Sequence, residues 1–153
     1  MGAPAVEEVR QMTKEIVHRF IDSQRYAVLS TLSASAGKPQ SALVGIAITP
    51  HFEIVFDTVR TSRKYKNILQ NPAASFVIGC SGATTVQYEG EARELAGLEL
   101  ATLQTIYFAK FPDGPERLTW PDITYIAVKP HWLRYSDFSS PPPTIEELAF
   151  ATK

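Results

Sequence analysis

The sequence predicts a mainly β fold with added helices, namely an antiparallel six-stranded barrel flanked by about three helices. Three observations lead to this prediction. The chain has 153 residues, which suits one domain with a substantial core, and 44% of them are hydrophobic. Its β-forming segments come in short groups separated by turn residues. They do not alternate regularly with helices, which favours an antiparallel barrel over a doubly wound parallel sheet.

Three helices are predicted along the chain. The first spans residues 5–24, where apolar side chains recur every three or four positions, and the others span 62–70 and 97–110. The tail at 139–153 is rich in proline and carries a capping-box pattern from Thr144 to Glu147, which predicts a short terminal helix. The whole chain, 1–153, is expected to form one domain.

Six strands are predicted between the turn signals. They cover residues 26–33, 40–48, 52–58, 74–80, 84–95 and 123–134. The second strand is apolar on both faces, which predicts burial on both sides. The fifth alternates, with Val86 and Tyr88 on one face and Gln87 and Glu89 on the other. Pro130 marks a bend or an edge in the last strand.

Composition and charge narrow the choice of partners and compartment. The formal net charge of −1 disfavours general nucleic-acid binding. The single cysteine, Cys80, excludes an intrachain disulfide, fits a reducing compartment and predicts an inert buried thiol. Glu7 and Glu8 stand where a signal peptide would be apolar, and the longest apolar run, 42–48, is too short to cross a bilayer. We expect a cytoplasmic protein with no membrane or nucleic-acid partner.

Four cations crowd the start of the helix predicted over 62–70, within the segment FDTVRTSRKYKNILQNP: Arg60, Arg63, Lys64 and Lys66. The free amides and the dipole already make this end of a helix positive. A bound phosphate would make this concentration of positive charge favourable. It would accept hydrogen bonds from these amides, from nearby hydroxyls and from Arg63 and Lys64. The alternative is a solvated basic turn with Thr61 or Ser62 as an ordinary N-cap.

Several segments also carry a family resemblance. They are the strand YAVLSTLS, the strand in GKPQSALVGIAI, the strand ending in FDT, the stretch SRKYKNILQNPAASFVI and the strand VQYEGEARELAG. Together they resemble the FMN-binding split-barrel superfamily, the pyridoxamine 5′-phosphate oxidase-like proteins, and SRK followed by N-I-L-x-N-P is the most specific part. The resemblance implies a homodimer of split barrels with two FMN sites at the interface.

The resemblance also implies a set of cofactor-binding residues: Asp57, Thr58, Ser62, Arg63 and Lys64, with Leu43 and Val44 on a neighbouring strand. Arg63 and Lys64 would bind the FMN phosphate, and Thr58 and Ser62 would add hydroxyl contacts. The strand 42–47 would lie along the flavin, largely through its backbone.

The sequence departs from the true oxidases of this superfamily. Ala42 and Ala47 stand where those enzymes have an arginine and a lysine, and the surroundings of Trp132 and Arg134 do not match their C-terminal segment. These departures argue against oxidation of pyridoxamine 5′-phosphate.

Three functions remain open on these grounds. The first is an FMN-dependent oxidoreductase of a small substrate, which needs no catalytic side chain because the isoalloxazine carries the redox step. The second is a non-catalytic carrier of flavin, deazaflavin or haem, and the third is a structural dimer with a vestigial anion site. No metal site is expected, since the three histidines lie far apart in sequence.

Overall fold

The structure is a computed structural model and describes residues 2–151. The helices in this range are α1 (Val6–Ser23), α2 (Arg63–Gln70) and α3 (Gly97–Lys110), and a 3-10 helix covers Gly114–Thr119. The strands are β1 (Tyr26–Leu32), β2 (Pro39–Gly45), β3 (Ala47–Ile48), β4 (Ile54–Val59), β5 (Ala73–Ile78), β6 (Thr84–Glu94), β7 (Ile123–Asp137) and β8 (Thr144–Ala149). The predicted mainly β class is confirmed, with eight strands in the described range where six are predicted.

The strands form one antiparallel sheet that curls on itself. Their order is β2-β1-β5-β6-β7-β4-β3, and β8 pairs with β7. The strands at the two ends of this order, β2 and β3, are separated in sequence only by Ile46, so the backbone itself joins the ends. The N–H of Ile46 donates to the carbonyl oxygen of Arg25 at 3.0 Å. The result is a split barrel that brings β2 close to the end of β4.

The predicted second strand, 40–48, is therefore two strands. β2 pairs with β1, whereas β3 pairs with β4 at the far end of the sheet order. The prediction that this segment is buried on both sides is also wrong for β2. Val44 faces the core, but the Leu43 side chain is 68% exposed on the outer face, because in the described chain only the inner face of β2 meets other apolar elements.

Apolar side chains collect in two clusters, one on each face of β4. The main core fills the barrel and includes Phe56, Phe76 and Tyr88, with α1 closing one end. The smaller cluster packs beneath α3 and includes Val55 and Tyr107. The predicted alternation of β6 is confirmed, since its alternate residues from Val86 onward are buried. β4 thus separates a barrel interior from an outer helix layer.

Pro130 lies at an irregularity in the β6–β7 ladder, as predicted. The register shifts between Glu89 and Gly90, and Gly90 is opposite Pro130. A Cβ on Gly90 would lie 2.2 Å from the carbonyl oxygen of Lys129, so only glycine fits this close approach. The bulge lets the long β7 bend around the barrel.

The predicted terminal helix is wrong. Residues 144–149 form β8, which pairs antiparallel with the second half of β7. A capping box is a local signal, whereas the edge of β7 offers a row of unpaired backbone groups that a further strand satisfies. The burial of Leu148 and the ion pair of Glu147 with Arg134 add to this pairing.

Two further observations concern the surface. The thiol of Cys80 is exposed, so the predicted buried cysteine is wrong. It follows Gly79 at the end of β5, where the chain turns away from the core with a positive φ of 87°. None of the helices within residues 2–151 combines the length and apolar character that a bilayer crossing requires.

Candidate functional site

The site begins where β4 passes into α2. The side chain of Ser62 caps the helix by accepting a hydrogen bond from the backbone N–H of Tyr65 at 3.3 Å. The hydroxyl oxygens of Ser62 and Thr58 lie 3.0 Å apart, and Thr58 is buried at the end of β4. Two hydroxyls have two protons and their mutual bond uses one, so one proton remains to donate to an incoming acceptor.

The first turn of α2 presents two positively charged side chains. Neither Arg63 nor Lys64 forms a salt bridge with any residue in the described part of the chain. Their backbone N–H groups likewise find no acceptor within residues 2–151. Burial lowers the pKa of Lys64, and the charge of Asp57 offsets part of that effect. An anion at this point would satisfy both amides and favour the charged form of Lys64.

A pocket of about 240 Å³ opens beside these two cations. Residues of three elements line it: Leu29 and Thr31 of β1, Gln40, Ser41 and Ala42 of β2, and Arg63, Lys64 and Asn67 of α2. The pocket is smaller than the roughly 300–1,000 Å³ of sites that enclose a whole drug-sized ligand. It is large enough to take a small charged group, and it opens beside β2.

One buried amide holds α2 in place against the sheet. The Asn67 side chain is 3% exposed and donates to the Thr31 hydroxyl at 3.0 Å and to the Gln40 side chain at 2.9 Å. Its oxygen accepts from the backbone N–H of Ala34 at 3.0 Å. These bonds join α2 to β1, to β2 and to the turn between them. They fix the distance between the cations and the strand across the pocket.

The predicted site residues separate into two groups in the structure. Arg63 and Lys64 line the pocket, and Ser62 and Thr58 lie next to it at the start of the helix. The other three predicted residues, Leu43, Val44 and Asp57, do not line it. Val44 is buried in the barrel core, and Leu43 is on the outer face. Of the predicted flavin strand, 42–47, it is Ala42 that lines the pocket.

Asp57 is instead engaged on the opposite face of β4. Its carboxylate lies 2.6 Å from the Arg117 guanidinium, and both side chains are largely buried. Burial alone would lower the pKa of Arg117, but hydrogen bonds to Asp57 and Asp113 outweigh it and raise the pKa. This pair anchors the end of β4, one residue before Thr58, to the 3-10 helix.

Sequence reasoning missed Asn67 and Arg117 as supporting residues of the site. Asn67 did carry a signal, because it stands four residues after Arg63 and next to the buried Ile68, where a polar side chain needs a partner. Arg117 carried none, because 60 residues separate it from Asp57. Only the folded chain brings these two together.

The arrangement suits binding of an anion more than acid–base chemistry. Two basic side chains, two amides and a hydroxyl pair point to a phosphate or carboxylate. The pocket contains no carboxylate, histidine or cysteine from the described chain. Within residues 2–151 no group of three or more His, Cys, Asp or Glu side chains converges as a metal site would require.

Comparison with known proteins identifies the family. The family model described as pyridoxamine 5′-phosphate oxidase matches residues 12–137, which is most of the chain. The chain therefore belongs to this family, and the resemblance found in its sequence is confirmed. No curated protein matches the chain significantly.

Solved structures with the same fold come from several bacteria. A protein of unknown function from Agrobacterium tumefaciens has a TM-score of 0.72 at 20% identity, with 88% of this chain and 60% of that one covered. A haem-binding protein from Mycobacterium smegmatis has a TM-score of 0.75 at 17% identity, with 97% and 60% covered. A pyridoxamine 5′-phosphate oxidase-related, FMN-binding protein from Nostoc punctiforme has a TM-score of 0.64 at 14% identity, with 98% and 99% covered.

At such low identities these likenesses establish the fold alone. The chain spans only 60% of the length of the Agrobacterium and Mycobacterium proteins. What this chain binds therefore depends on the groups that its own pocket presents.

We predict that Asn67→Ala lowers the free energy of unfolding by about 2–3 kcal/mol, because it removes three hydrogen bonds and leaves the partners of Asn67 unsatisfied. Urea unfolding of the purified protein measures this loss. The matched control is Asn71→Ala at the C-cap of the same helix, where within residues 2–151 the exposed side chain accepts only from the N–H of Ala73. Equal losses in the two variants would show that Asn67 does not clamp the site.

Proposed function

We propose that the chain binds FMN at the start of α2 and acts as an FMN-dependent oxidoreductase on a small substrate. The supporting observation is a group of donors around the pocket that find no partner within residues 2–151, namely the side chains and backbone N–H groups of Arg63 and Lys64. A phosphate monoester dianion is the ligand group that matches this number of charges and donors. Family membership makes FMN the first candidate to carry that phosphate.

The residues present fit the phosphate end of FMN. Arg63 and Lys64 would neutralise its charge, the free hydroxyl proton of the Thr58–Ser62 pair would donate to it, and Asn67 would keep this cradle at a fixed distance from β2. When bound, the isoalloxazine supplies hydride or electron transfer, which accounts for the lack of catalytic side chains in the pocket. Ala42 adds no charge to the wall, so backbone groups would dominate the flavin environment on this side.

We propose further that the working form is a homodimer, and that the partner completes the site. The pocket of about 240 Å³ is too small for a whole FMN, so the ring system needs a second wall. An exposed apolar band lies on the outer face of the same strands, with Leu43 68%, Tyr26 51% and Val77 44% exposed. Neighbouring strands carry these side chains, and such a patch is typical of a surface that another protein covers.

A carrier of flavin, deazaflavin or haem is the second candidate, and haem is the ligand of a mycobacterial protein that shares the fold. Haem requires an axial ligand such as His, Cys, Met or Tyr. The part of this pocket that the described chain provides has none of these residues. The chemistry of the lining therefore supports FMN over haem.

The cytoplasm is the compartment that we propose for this protein. An exposed free thiol, Cys80, is compatible with a reducing environment, where disulfide formation is suppressed. A cytoplasmic protein would also have ready access to reduced nicotinamide donors.

We predict that the double variant Arg63→Ala/Lys64→Ala binds FMN about a hundredfold or more weakly, because it loses two charge-assisted contacts. Titration with quenching of FMN fluorescence measures the affinity. The control, Lys38→Ala/Lys66→Ala, removes the same charge from two exposed side chains that do not line the pocket. Unchanged FMN affinity in the first variant, or an equal loss in both, would contradict the proposed placement.

Reduction of the bound flavin separates the enzyme from the carrier. We expect a reduced nicotinamide donor to bleach the visible band of the FMN complex under anaerobic conditions and air to restore it. Free FMN at the same concentration is the control for direct chemical reduction. Bleaching no faster than that of free FMN would favour the carrier.

A further inference from the structure

A second cavity, of about 620 Å³, lies on another part of the molecule. It is bounded by α1, by the turn between β3 and β4, by Lys129 and Pro130 of β7, and by the chain after β8. It shares no lining residue with the pocket at α2. Its volume falls within the roughly 300–1,000 Å³ of pockets that bind small molecules.

Aromatic rings form the floor of this cavity. Phe52 and Phe150 lie with their ring centroids 5.4 Å apart and tilted by 52°. The ring of His18 meets Phe52 edge-on, with centroids 5.2 Å apart and planes at 85°. His18 and Phe150 are half-buried, so part of each ring remains open to a ligand. A flat aromatic molecule would find both edge and face contacts on this floor.

The floor is held rigidly by the turn that carries Phe52. The Thr49 hydroxyl oxygen accepts from the N–H groups of His51 at 3.3 Å and Glu53 at 3.1 Å, and its carbonyl oxygen accepts from the N–H of Phe52 at 3.0 Å. Phe52 has a positive φ of 66°, which a bulky residue rarely adopts. The buried Tyr88 hydroxyl donates to its carbonyl at 2.7 Å and stabilises this conformation.

His18 is oriented by the same turn. Its Nε2 lies 3.0 Å from the carbonyl oxygen of Thr49, and because a carbonyl only accepts, Nε2 carries the proton. The ring is therefore fixed against Phe52 before any ligand arrives. A preformed site loses less conformational entropy on binding than one that must be ordered by its ligand.

Positive charge predominates among the unpaired groups of the rim. Lys14 and Lys129 line the cavity and form no salt bridge with residues in the described range. Of the two lining carboxylates, Glu53 shares the Arg93 guanidinium with Glu99, at 2.6 and 3.0 Å, and Glu15 accepts from Gln11 at 3.4 Å. The two ammonium groups of Lys14 and Lys129 thus stand on the rim without an ion-pair partner in the described range, and they can receive an anion.

We propose that this cavity binds a small aromatic carboxylate, with its ring on Phe52, Phe150 and His18 and its carboxylate between Lys14 and Lys129. The rings select a planar apolar body, and the two lysines select a negative charge at its edge. This site is independent of FMN binding, since it uses other residues on another part of the fold.

Titration with benzoate, followed by two-dimensional ¹H–¹⁵N NMR of the intact chain, tests the proposal. We expect saturable shifts at the amides of His51, Phe52 and Lys129. Benzyl alcohol, a neutral molecule of similar shape, should bind about tenfold more weakly, since it lacks the charge. Lack of saturable shifts at these amides, or equal affinity for the two compounds, would overturn the proposal.

Two variants locate the bound benzoate. Lys14→Gln/Lys129→Gln should weaken binding about tenfold, whereas the control Arg19→Gln/Lys66→Gln, which removes the same charge elsewhere, should leave it unchanged. Arg63→Ala/Lys64→Ala should also leave it unchanged, because the pocket at α2 is separate. If Arg19→Gln/Lys66→Gln lost as much affinity as Lys14→Gln/Lys129→Gln, benzoate would be held by non-specific attraction. If Arg63→Ala/Lys64→Ala did so, benzoate would bind in the α2 pocket. Either result would refute the second site.

Discussion

The placement of positive charge in this protein depends on the buried side chain of Asn67. Its three hydrogen bonds join α2 to β1, to β2 and to the turn between them. Arg63 and Lys64 repel each other, and the positive end of the helix repels both. Without the hydrogen bonds of Asn67, this repulsion would favour movement of α2 away from the sheet. With these bonds, the two cations remain beside a pocket whose other wall is β2. The barrel core and the ion pair of Asp57 with Arg117 hold β4, the strand that leads into α2, in place.

This arrangement explains why local sequence patterns predicted part of the site and missed the rest. The cations and Ser62 are close in sequence, so helical spacing alone places them at one helix end. The orientations of Leu43 and Val44 depend on which face of β2 meets the core, and the motif does not encode that. Partners distant in sequence, such as Asn67 with Gln40, become neighbours only through the sheet topology.

The fold, like the site, was predictable where the local sequence decides the structure and not where the assembled sheet decides it. Alternation and turn signals predicted the strands, because a half-buried strand needs period two along its own length. The terminal segment, however, has a helix-start signal and yet forms β8. The exposed edge of β7 decides its conformation, and an edge is a property of the assembled sheet. The family shares this barrel at low sequence identity, and function therefore rests on the groups around each pocket.

Comparison of FMN with riboflavin tests the central claim most directly, because the two ligands differ only by the phosphate. If the phosphate docks at the start of α2, the native protein should bind riboflavin about a hundredfold or more weakly than FMN. Calorimetric titration under identical buffer and salt measures both affinities. Equal affinity for the two flavins would contradict the account, because the unpaired cations and amides of α2 would then have no part in holding the ligand.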